Sequence, residues 1–515
     1  MTLAIVKSRA LCGFEAPSVT VEVHAGGGLP GLTIVGLPEA EVREAKDRVR
    51  AALQTAGFEF PPRKLTINLA PADLPKESAR LDLPRALGIL AASGQLPVTA
   101  LERFEFAGEL SLSGEIRPVK GALALALGFA RQRRADDTLI LPEASASEAQ
   151  LIADLPVYAA ATLTEVVAAL AGRQHWRKPS GSQAGVSPGS LPDLADVKGQ
   201  PQARRALEIA AAGGHHLLMC GPPGTGKSML AQRLPGLLPD LARTAAIESA
   251  AMLSLAGLFR AEQFGRPAFR APHHSASLAA LVGGGNPPQP GEASLAHQGV
   301  LFLDEFPEFD RRALESLREP IETGLISVAR AGRRADYPAR FQLVAAMNPC
   351  PCGYWGHPRL ACRCNPQAIE RYRQKISGPL ADRLDIQMEV PALEEHALLG
   401  APTGESSAQV AERVQAARLR ALTRQQCVNA LIAPGDLEAV VLAQPVALQR
   451  LKAIGSRLAW SARALHRCLR VARTIADLQA SELITEIHVT EAAQYRRVLS
   501  PVIQPAPGIN PPGLR

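Results

Sequence analysis

The residues whose types and spacing predict chemistry begin with an octapeptide, Gly-Pro-Pro-Gly-Thr-Gly-Lys-Ser, at positions 221–228. Backbone N–H groups of such a loop can converge on phosphate oxygens, because glycine lacks the side chain that would obstruct them. Lys227 then places a cation on the β- and γ-phosphates, and the Ser228 hydroxyl ligates Mg²⁺. An apolar run before the loop and a helical pattern after it favour a phosphate cradle over a chance turn. The predicted nucleotide-binding residues are Gly221, Pro222, Pro223, Gly224, Thr225, Gly226, Lys227 and Ser228.

Hydrolysis also needs a metal ligand and a group that activates water, and residues of both kinds follow an apolar run farther along the chain. Residues 300–303 read Val-Leu-Phe-Leu, which is typical of a parallel strand buried on both faces, and Asp304 and Glu305 come next. Asp304 would hold Mg²⁺ through water, and Glu305 would polarise the attacking water. Asn348 ends another apolar run, so it is predicted to contact the γ-phosphate or the water; a turn-forming asparagine before proline is the alternative.

Together these motifs resemble the AAA+ ATPases, and the resemblance extends to Arg383 in Pro-Leu-Ala-Asp-Arg-Leu-Asp. It implies that Arg383 is an arginine finger acting on the nucleotide of a neighbouring subunit; an ion pair with Asp382 or Asp385 is the alternative. Arg463, at the start of a helical pattern that ends near residue 478, resembles the second sensor arginine of the lid. A finger shared between subunits implies a ring, and a homo-hexamer is expected.

Residues 317–332 resemble the hairpin that precedes the sensor strand in minichromosome-maintenance helicases and magnesium chelatase motors. By that resemblance Arg330 is the basic pore residue, with Arg333 and Arg334 close to the turn. Cations in a pore suit a polyanion, because phosphate contacts give affinity without sequence preference; a solvated basic loop is the alternative. The segment from 269 to 299 matches the helix-2 insert of the same branch, and its two adjacent histidines are not assigned to a metal.

Four of the eight cysteines form two Cys-x-Cys pairs directly after Asn348. Four thiolates on one compact loop suit tetrahedral Zn²⁺, so the spacing predicts a structural zinc site. The inner spacing is shorter than that of the usual Cys-x₂-Cys knuckle. Disulfides are the poorer alternative, because nothing marks the chain for export. The predicted metal ligands are Cys350, Cys352, Cys362 and Cys364.

The stretch from 348 to 385 resembles the ComM/YifB-type magnesium-chelatase-like proteins of bacteria, and the match continues in 31–47 and 68–90. The resemblance implies an ATP-driven hexameric motor that branch-migrates single-stranded or branched DNA and helps to integrate it during natural transformation, with recombination proteins as further partners. The alternative is a motor like the magnesium chelatase subunit, which remodels a protein partner for metal insertion. The arginines near the hairpin turn favour DNA.

Residues 1–171 are expected to form a separate α/β domain that resembles the Lon protease domain, most clearly over 108–142. This chain has Arg80 where that family places its serine, and leucines where it places its lysine. Ser78 with a neighbouring lysine is a formal candidate pair, but a hydroxyl without a positioned base is inert. We therefore expect a scaffold or DNA-contacting module without protease activity.

The fold class is thus α/β, with a Lon-protease-like N-terminal domain, an AAA+ P-loop parallel-sheet core carrying the insert and the hairpin, and a helical C-terminal lid. A stretch rich in Gly, Ser and Pro, 172–192, is expected to be a flexible linker. The core is expected over 193–390 with a Cys-rich insertion at 350–364, the lid over 391–503, and a tail over 504–515.

The composition is compatible with these expectations. The chain of 515 residues has 56 Lys and Arg against 49 Asp and Glu, a net charge of +7 that permits nucleic-acid binding without proving it. Aromatic residues make up only 4%, so tracking along the DNA backbone fits better than extensive base stacking. The sequence has no apolar run long enough for a transmembrane helix and no secretory signal, which predicts a cytoplasmic protein without membrane contact.

Overall fold

The computed structural model describes residues 2–35, 40–72, 74, 79–181, 191–330, 333–392, 404–496 and 498. These residues form an N-terminal α/β unit, a central unit with a parallel sheet, and a C-terminal helical unit. A mixed α/β fold with a parallel-sheet core is what the sequence predicts. The expected tail at 504–515 and the candidate Ser78 lie outside the described residues.

The N-terminal unit is built on a seven-stranded sheet of order β3-β4-β2-β1-β5-β8-β9, with β6 and β7 as a separate pair. The strands are β1 (Thr2–Arg9), β2 (Ser18–Gly26), β3 (Gly31–Val35), β4 (Lys64–Ala70), β5 (Phe104–Phe106), β6 (Glu109–Leu110), β7 (Ile116–Arg117), β8 (Thr138–Pro142) and β9 (Val157–Ala160). The helices are α1 (Ala40–Thr55), α2 (Asp82–Ala92), α3 (Ala122–Gln132), α4 (Glu143–Ala149) and α5 (Leu163–Leu170). Alternating burial along β2 and β4 gives this part of the sheet one apolar face, which packs with α1, α2 and α5. Helices α3 and α4 form a second apolar cluster with alternate residues of β8, on the other side of that strand.

Two leucines that bear on the expected lack of protease activity lie in this unit. Leu123 and Leu125 on α3 are fully buried, so apolar side chains pack at the positions to which the Lon resemblance assigns the lysine. Asp82 is also fully buried and pairs with Arg48 at 2.7 Å and with Arg85 at 3.1 Å. These side chains contribute to the core and to the start of α2.

Part of the segment expected to be a flexible linker is docked on the N-terminal unit. Arg177 forms a β-bridge with Ala159, and its guanidinium lies 3.2 Å from the Glu143 carboxylate. The Trp176 ring lies 5.0 Å from that of Phe104. The Gly, Ser and Pro content of the segment predicts flexibility. Trp176 docks part of it nevertheless, because its ring has a large apolar area to bury.

The central unit contains a five-stranded, all-parallel sheet of order β11-β14-β17-β10-β18. Strands β10, β14 and β17 are buried at every position, which explains why they read as continuous apolar runs. The strands of the unit are β10 (Leu217–Cys220), β11 (Phe269–Arg270), β12 (Gly283–Gly284), β13 (Gln289–Pro290), β14 (Val300–Leu303), β15 (Leu325–Arg330), β16 (Arg333–Pro338), β17 (Gln342–Met347) and β18 (Ile386–Glu389).

Helices cover this sheet and connect its strands. They are α6 (Pro201–Gly213), α7 (Lys227–Arg233), α8 (Arg243–Leu255), α9 (Leu278–Val282), α10 (Glu292–Leu295), α11 (Arg311–Ser316), α12 (Arg318–Thr323), α13 (Pro366–Gln374) and α14 (Gly378–Ala381). The first residues after β10, β14 and β17 lie at one edge of the sheet, because parallel strands end on the same side. The predicted phosphate cradle, acidic pair and sensor asparagine therefore meet at this edge.

The C-terminal unit is helical, and its helices are α15 (Ser407–Gln425), α16 (Leu437–Val440), α17 (Pro445–Arg457), α18 (Ala462–Leu478) and α19 (Glu486–Gln494). Buried residues of these helices join the apolar cluster of α6 and the sheet, so the unit packs directly on the core. Asp477 is buried and accepts hydrogen bonds from Arg424 at 2.8 and 2.9 Å, which ties α18 to α15.

Among the described residues, the N-terminal unit contacts the central unit at α8 and at the β15–β16 hairpin. The Ser254 carbonyl on α8 accepts a hydrogen bond from Gly121 N at 3.0 Å, and its hydroxyl donates to Glu148 at 2.7 Å. Phe14 N, between β1 and β2, donates to the Asp336 carbonyl on β16 at 3.4 Å, and the Cys12 sulfur lies 3.7 Å from the Arg334 carbonyl oxygen. The N-terminal unit thus touches residues 334–336 of β16, close to the turn of the hairpin and away from its base.

Candidate functional site

The predicted phosphate cradle runs from the end of β10 into α7. A Cβ atom on Gly221 would lie 2.2 Å from the Val390 carbonyl oxygen, so only glycine fits this turn. Gly224 and Gly226 have φ of +77° and +87°, the left-handed region that favours glycine. The loop that results can present its backbone N–H groups to phosphate.

Lys227 links the cradle to the neighbouring strand β17. Its ammonium donates to the Gly221 carbonyl at 2.6 Å, the Pro222 carbonyl at 2.9 Å and Asn348 Oδ1 at 3.3 Å. Burial lowers its pKa, although the acidic neighbours Cys220 and Asp304 act in the opposite direction. The three donors of the ammonium are therefore held at the point where the cradle and the predicted sensor meet.

Ser228 and Asp304 form the predicted magnesium site. The Ser228 hydroxyl donates to Asp304 Oδ2 at 2.6 Å, and Asp304 Oδ1 accepts the N–H of Glu305 at 2.9 Å. Hydroxyl and carboxylate oxygens are ligands that Mg²⁺ prefers, and both side chains stand beside the cradle. These residues fit a Mg²⁺ ion that is bound together with a nucleoside triphosphate.

Glu305, the predicted water-activating carboxylate, has an unexpected neighbour. Its backbone is left-handed, with φ of +52°, and its Oε2 lies 2.8 Å from Nδ1 of His274. His274 belongs to the insert between β11 and β14, so the insert reaches the edge of the nucleotide site. The His273 and His274 rings are 4.1 Å apart, and among the described residues this pair belongs to no cluster of three metal-ligating side chains, Glu305 included.

Arg383, the predicted arginine finger, is held within its own protomer. Its side chain is only 7% exposed; Nη1 donates to the Pro379 carbonyl at 2.6 Å, and Nη2 pairs with Glu322 Oε1 at 2.5 Å. Neither Asp382 nor Asp385, the alternative partners suggested by the sequence, is the partner shown. In this conformation the guanidinium is buried and bonded within its own chain.

Asp385 anchors the loop that carries Arg383. Burial alone would raise the pKa of Asp385, but Arg467 and the neighbouring histidines, His215 first, hold it well below its usual range. Arg467 on α18 donates to Asp385 at 2.6 Å and to the Arg383 carbonyl at 2.9 Å. Arg463, the predicted second sensor arginine, is exposed one helical turn before Arg467 on α18.

The predicted pore hairpin is observed as the antiparallel pair β15–β16, with Ile326 opposite Tyr337 and Arg330 opposite Arg333. Ile326 and Val328 are buried on one face, because alternate residues of a strand point to the same side. Arg334 is exposed on the other face and pairs with Asp336 at 3.2 Å. The side chains of Arg330 and Arg333 lie outside the described part of the hairpin, so their contacts stay predictions.

The insert packs on this hairpin. The Tyr337 hydroxyl on β16 donates to the Pro288 carbonyl at 2.7 Å. A Cβ on Gly283, whose φ is +106°, would lie 3.1 Å from Val328 Cγ2. The insert therefore contacts the hairpin at one end and Glu305, through His274, at the other.

The four predicted metal ligands lie together in residues 350–364, here called the cysteine loop. Three sulfur pairs are 3.4, 3.6 and 3.7 Å apart, and all four sulfurs lie within 4.8 Å of one another. Sulfurs around a tetrahedral zinc with Zn–S of about 2.3 Å would be about 3.8 Å apart, whereas a disulfide needs about 2.05 Å. The sulfur positions fit a four-thiolate metal site and not disulfides.

The electrostatics of the loop agree with a metal site. Backbone N–H groups of Tyr354 and Arg363 lower the pKa of the Cys352 thiol to about 6, which favours the ligating thiolate. Cys362 receives an N–H bond from Cys364 that lowers its pKa, but burial and the neighbouring sulfurs raise it to about 12. A bound cation would remove this mutual repulsion between thiolates.

Comparison with known proteins bears on this arrangement. Residues 193–398 match the family described as magnesium chelatase, subunit ChlI; residues 21–145 match subunit ChlI of magnesium chelatase; and residues 404–496 match the C-terminal region of that subunit. The chain is 49% identical to YifB of Escherichia coli and 47% identical to the competence protein ComM of Haemophilus influenzae. Each alignment covers 97% of this chain and 98% of the relative. The chain belongs to the ComM/YifB family of magnesium-chelatase-like proteins.

Membership of this family indicates an AAA+-like ATPase with ATP and Mg²⁺ as ligands, in agreement with the contacts among Lys227, Ser228 and Asp304. A local similarity points to DNA-related AAA+ proteins. The Drosophila melanogaster DNA replication licensing factor Mcm2 is 26% identical over 204 residues, which cover 37% of this ComM/YifB chain and 20% of Mcm2. Among the described residues of the chain, no helix is long and apolar enough to cross a membrane.

Two side chains at the site of this ComM/YifB chain were not singled out by the sequence: Glu322 pairs with Arg383, and Arg467 braces the Arg383 loop. A third, His274, was considered only as a metal ligand, and its contact with Glu305 was not predicted. Arg467 lies four residues after Arg463, a spacing that places both on one helix face and could have indicated it. Glu322 and His274 reach the site through tertiary packing, for which the sequence has no local signal.

Proposed function

We propose that this chain is an ATP-driven hexameric motor that moves on single-stranded or branched DNA and drives branch migration, aiding DNA integration during natural transformation. The supporting observation is the path from the hairpin to the nucleotide. The β15–β16 hairpin, with Arg334 exposed, leads into β17, and the residue after β17 is Asn348, whose Oδ1 lies 3.3 Å from the Lys227 ammonium. A pull on the hairpin is thereby connected to the nucleotide edge by one buried strand.

In this mechanism the cradle residues and Lys227 bind the triphosphate, and Asp304 and Ser228 hold Mg²⁺, which neutralises charge on the transferred phosphate. Glu305 accepts a proton from the attacking water, and Asn348 orients the water or the γ-phosphate. Arg383 leaves Glu322 to reach the nucleotide of the next subunit, with Arg463 acting beside it. Such head-to-tail interfaces close into a ring.

The name of the Haemophilus relative supports a role in competence, and the local similarity to licensing factors supports a DNA track. The second candidate function is remodelling of a protein partner for metal insertion, which is favoured by the magnesium chelatase descriptions that match all three parts of the chain. The DNA track is preferred because three arginines, Arg330, Arg333 and Arg334, stand within five positions of the chain at the hairpin turn.

The remaining assignments belong to the same proposal. The cysteine loop holds one structural Zn²⁺, the N-terminal unit is a Lon-like scaffold without protease activity, and the C-terminal helices are the lid. The domain limits are those expected from the sequence, the motor works with recombination proteins, and it acts in the cytoplasm. Metal analysis of purified protein should give about one zinc per chain; a content near zero would reject the zinc site.

The decisive experiment incubates purified protein with ATP and a labelled three- or four-stranded junction, beside linear duplex. A DNA motor resolves the junction with ATP, and the Glu305→Gln variant, which retains the fold, does not. Arg334→Ala should weaken DNA binding and reduce its salt slope by about one, and Arg457→Ala, a matched exposed arginine on α17, should not. Undiminished ATP turnover with no movement of any junction would favour the protein-remodelling function instead.

A further inference from the structure

We propose that the exposed face of the cysteine loop is a second binding surface, one that takes single-stranded DNA, with Trp355 as a base-stacking platform. The proposal rests on the proposed DNA motor but concerns a surface at the other end of β17 from the hairpin. The hairpin precedes β17, and the cysteine loop follows it. A strand bound there would lie beside the nucleotide site.

Trp355 differs from the other two tryptophans of the chain. Trp176 lies between Phe104 and Tyr158, with ring centroids 5.0 and 6.1 Å away, and Trp460 packs against the core of the C-terminal unit. Trp355 is 40% exposed. An exposed indole in a chain with so few aromatic residues is a marker of a binding surface, because bases stack on aromatic rings.

The surroundings of Trp355 are strongly basic. Residues 350–375 contain five basic side chains and one acidic one, Glu370, so five minus one leaves a net +4, more than half of the net +7 of the whole chain. The guanidinium of Arg373 lies 4.6 Å from the Trp355 ring centroid. The basic residues of the segment are Arg359, Arg363, Arg371, Arg373 and Lys375.

The cysteine cluster fixes the positions of the aromatic ring and of one arginine beside it. The backbone N–H of Trp355 donates to Cys350 Sγ at 3.3 Å, and the backbone N–H of Arg363 donates to Cys352 Sγ. Because both backbones are tied to the sulfur cluster, the aromatic ring and the exposed Arg363 are presented from one braced loop. Such preorganisation reduces the entropy lost on binding.

An exposed ring flanked by cations favours single-stranded DNA over duplex DNA. A duplex hides the faces of its bases, whereas a single strand offers both stackable bases and phosphates to a ring flanked by cations. The loop also touches the phosphate cradle, since a Cβ on Gly353 would lie 2.8 Å from Pro223 Cδ. A strand bound on the loop would therefore be connected to the ATP site through the contact of Gly353 with Pro223.

The test uses the full chain and an oligo-dT single strand of about 20 nucleotides, a length that exceeds the usual site of one binding module. Stacking on Trp355 should quench the intrinsic fluorescence of the wild-type protein, and the quenching should disappear in Trp355→Phe but persist in the control Trp460→Phe. Trp355→Ala should weaken binding about 10-fold, and Trp355→Phe less than about 3-fold. Arg363→Ala should weaken it about 3-fold and lower the salt slope by about one, unlike Arg457→Ala.

The outcomes separate this surface from the motor itself. Normal affinity of Trp355→Ala, with no quenching in the wild-type protein, would overturn the second surface while leaving DNA binding through the hairpin intact. Changed subunit assembly in Arg363→Ala, with unchanged DNA affinity, would also overturn it, because the loop would then be a contact between protomers. Failure of wild-type protein to bind any DNA would overturn the proposed function as well.

Discussion

The two halves of the predicted catalytic machinery differ in how completely one protomer assembles them. At the nucleotide edge, Lys227 contacts Asn348 and Ser228 contacts Asp304, so four predicted groups already touch in pairs. At the opposite half, Arg383 is buried against its own Glu322. The comparison indicates that the predicted groups for nucleotide and metal already lie together, whereas under the proposed mechanism Arg383 has to leave Glu322 before it can act.

The largest effect is expected at the preformed half. Lys227→Ala removes the ammonium that joins the cradle to Asn348, and we expect ATP turnover to fall by about 100-fold or more, since loss of one preorganised electrostatic contact costs about 10²–10³. Turnover is measured by phosphate release and binding by a fluorescent ATP analogue. Turnover near the wild-type rate would break the assignment of the cradle.

Glu305→Gln separates binding from hydrolysis within the same half. Because Gln cannot accept the proton of the attacking water, kcat should fall about 100-fold while ATP affinity stays within about 2-fold. Single-turnover hydrolysis and equilibrium binding measure the two effects. Equal kcat in the variant and the wild type would show that another group activates the water.

Glu322→Gln tests the other half of the predicted machinery, in which Glu322 holds Arg383. Its carboxylate is half exposed, so the pair with Arg383 is worth at most about 1 kcal/mol, and its loss should raise turnover in the absence of DNA by no more than about 5-fold. Glu319→Gln, on the same helix, is the matched control. A fall in turnover would show that Glu322 orients Arg383 for catalysis rather than restraining it.

His274→Ala should have the smallest effect. His274 and Glu305 are both partly exposed, and losing their 2.8 Å contact should lower kcat about 2- to 5-fold without changing the KM for ATP. His274→Asn, which can still donate a hydrogen bond, should recover part of the rate. His273→Ala serves as the control, and an equal loss there would point to a general effect on the insert.

The same contrast explains what the sequence could predict. Gly221, Lys227, Asp304 and Asn348 follow the ends of parallel strands, and strand ends of one sheet meet at one edge, so local pattern was enough to place them. The four cysteines were likewise predictable from spacing. The restraint of Arg383 by Glu322, the contact of His274 with Glu305 and the docking of Trp176 depend on packing between distant segments, for which no local period exists.

The central claim is that each active site combines the nucleotide edge of one protomer with Arg383 of another, and mixing two inactive variants tests it most directly. Lys227→Ala and Arg383→Ala proteins are combined in equal amounts, and phosphate release is compared with that of each alone. A head-to-tail ring of random composition pairs an intact cradle with an intact finger at about a quarter of its interfaces, so about a quarter of wild-type turnover should return. No recovery at all, together with full turnover by dissociated wild-type protomers, would contradict the account.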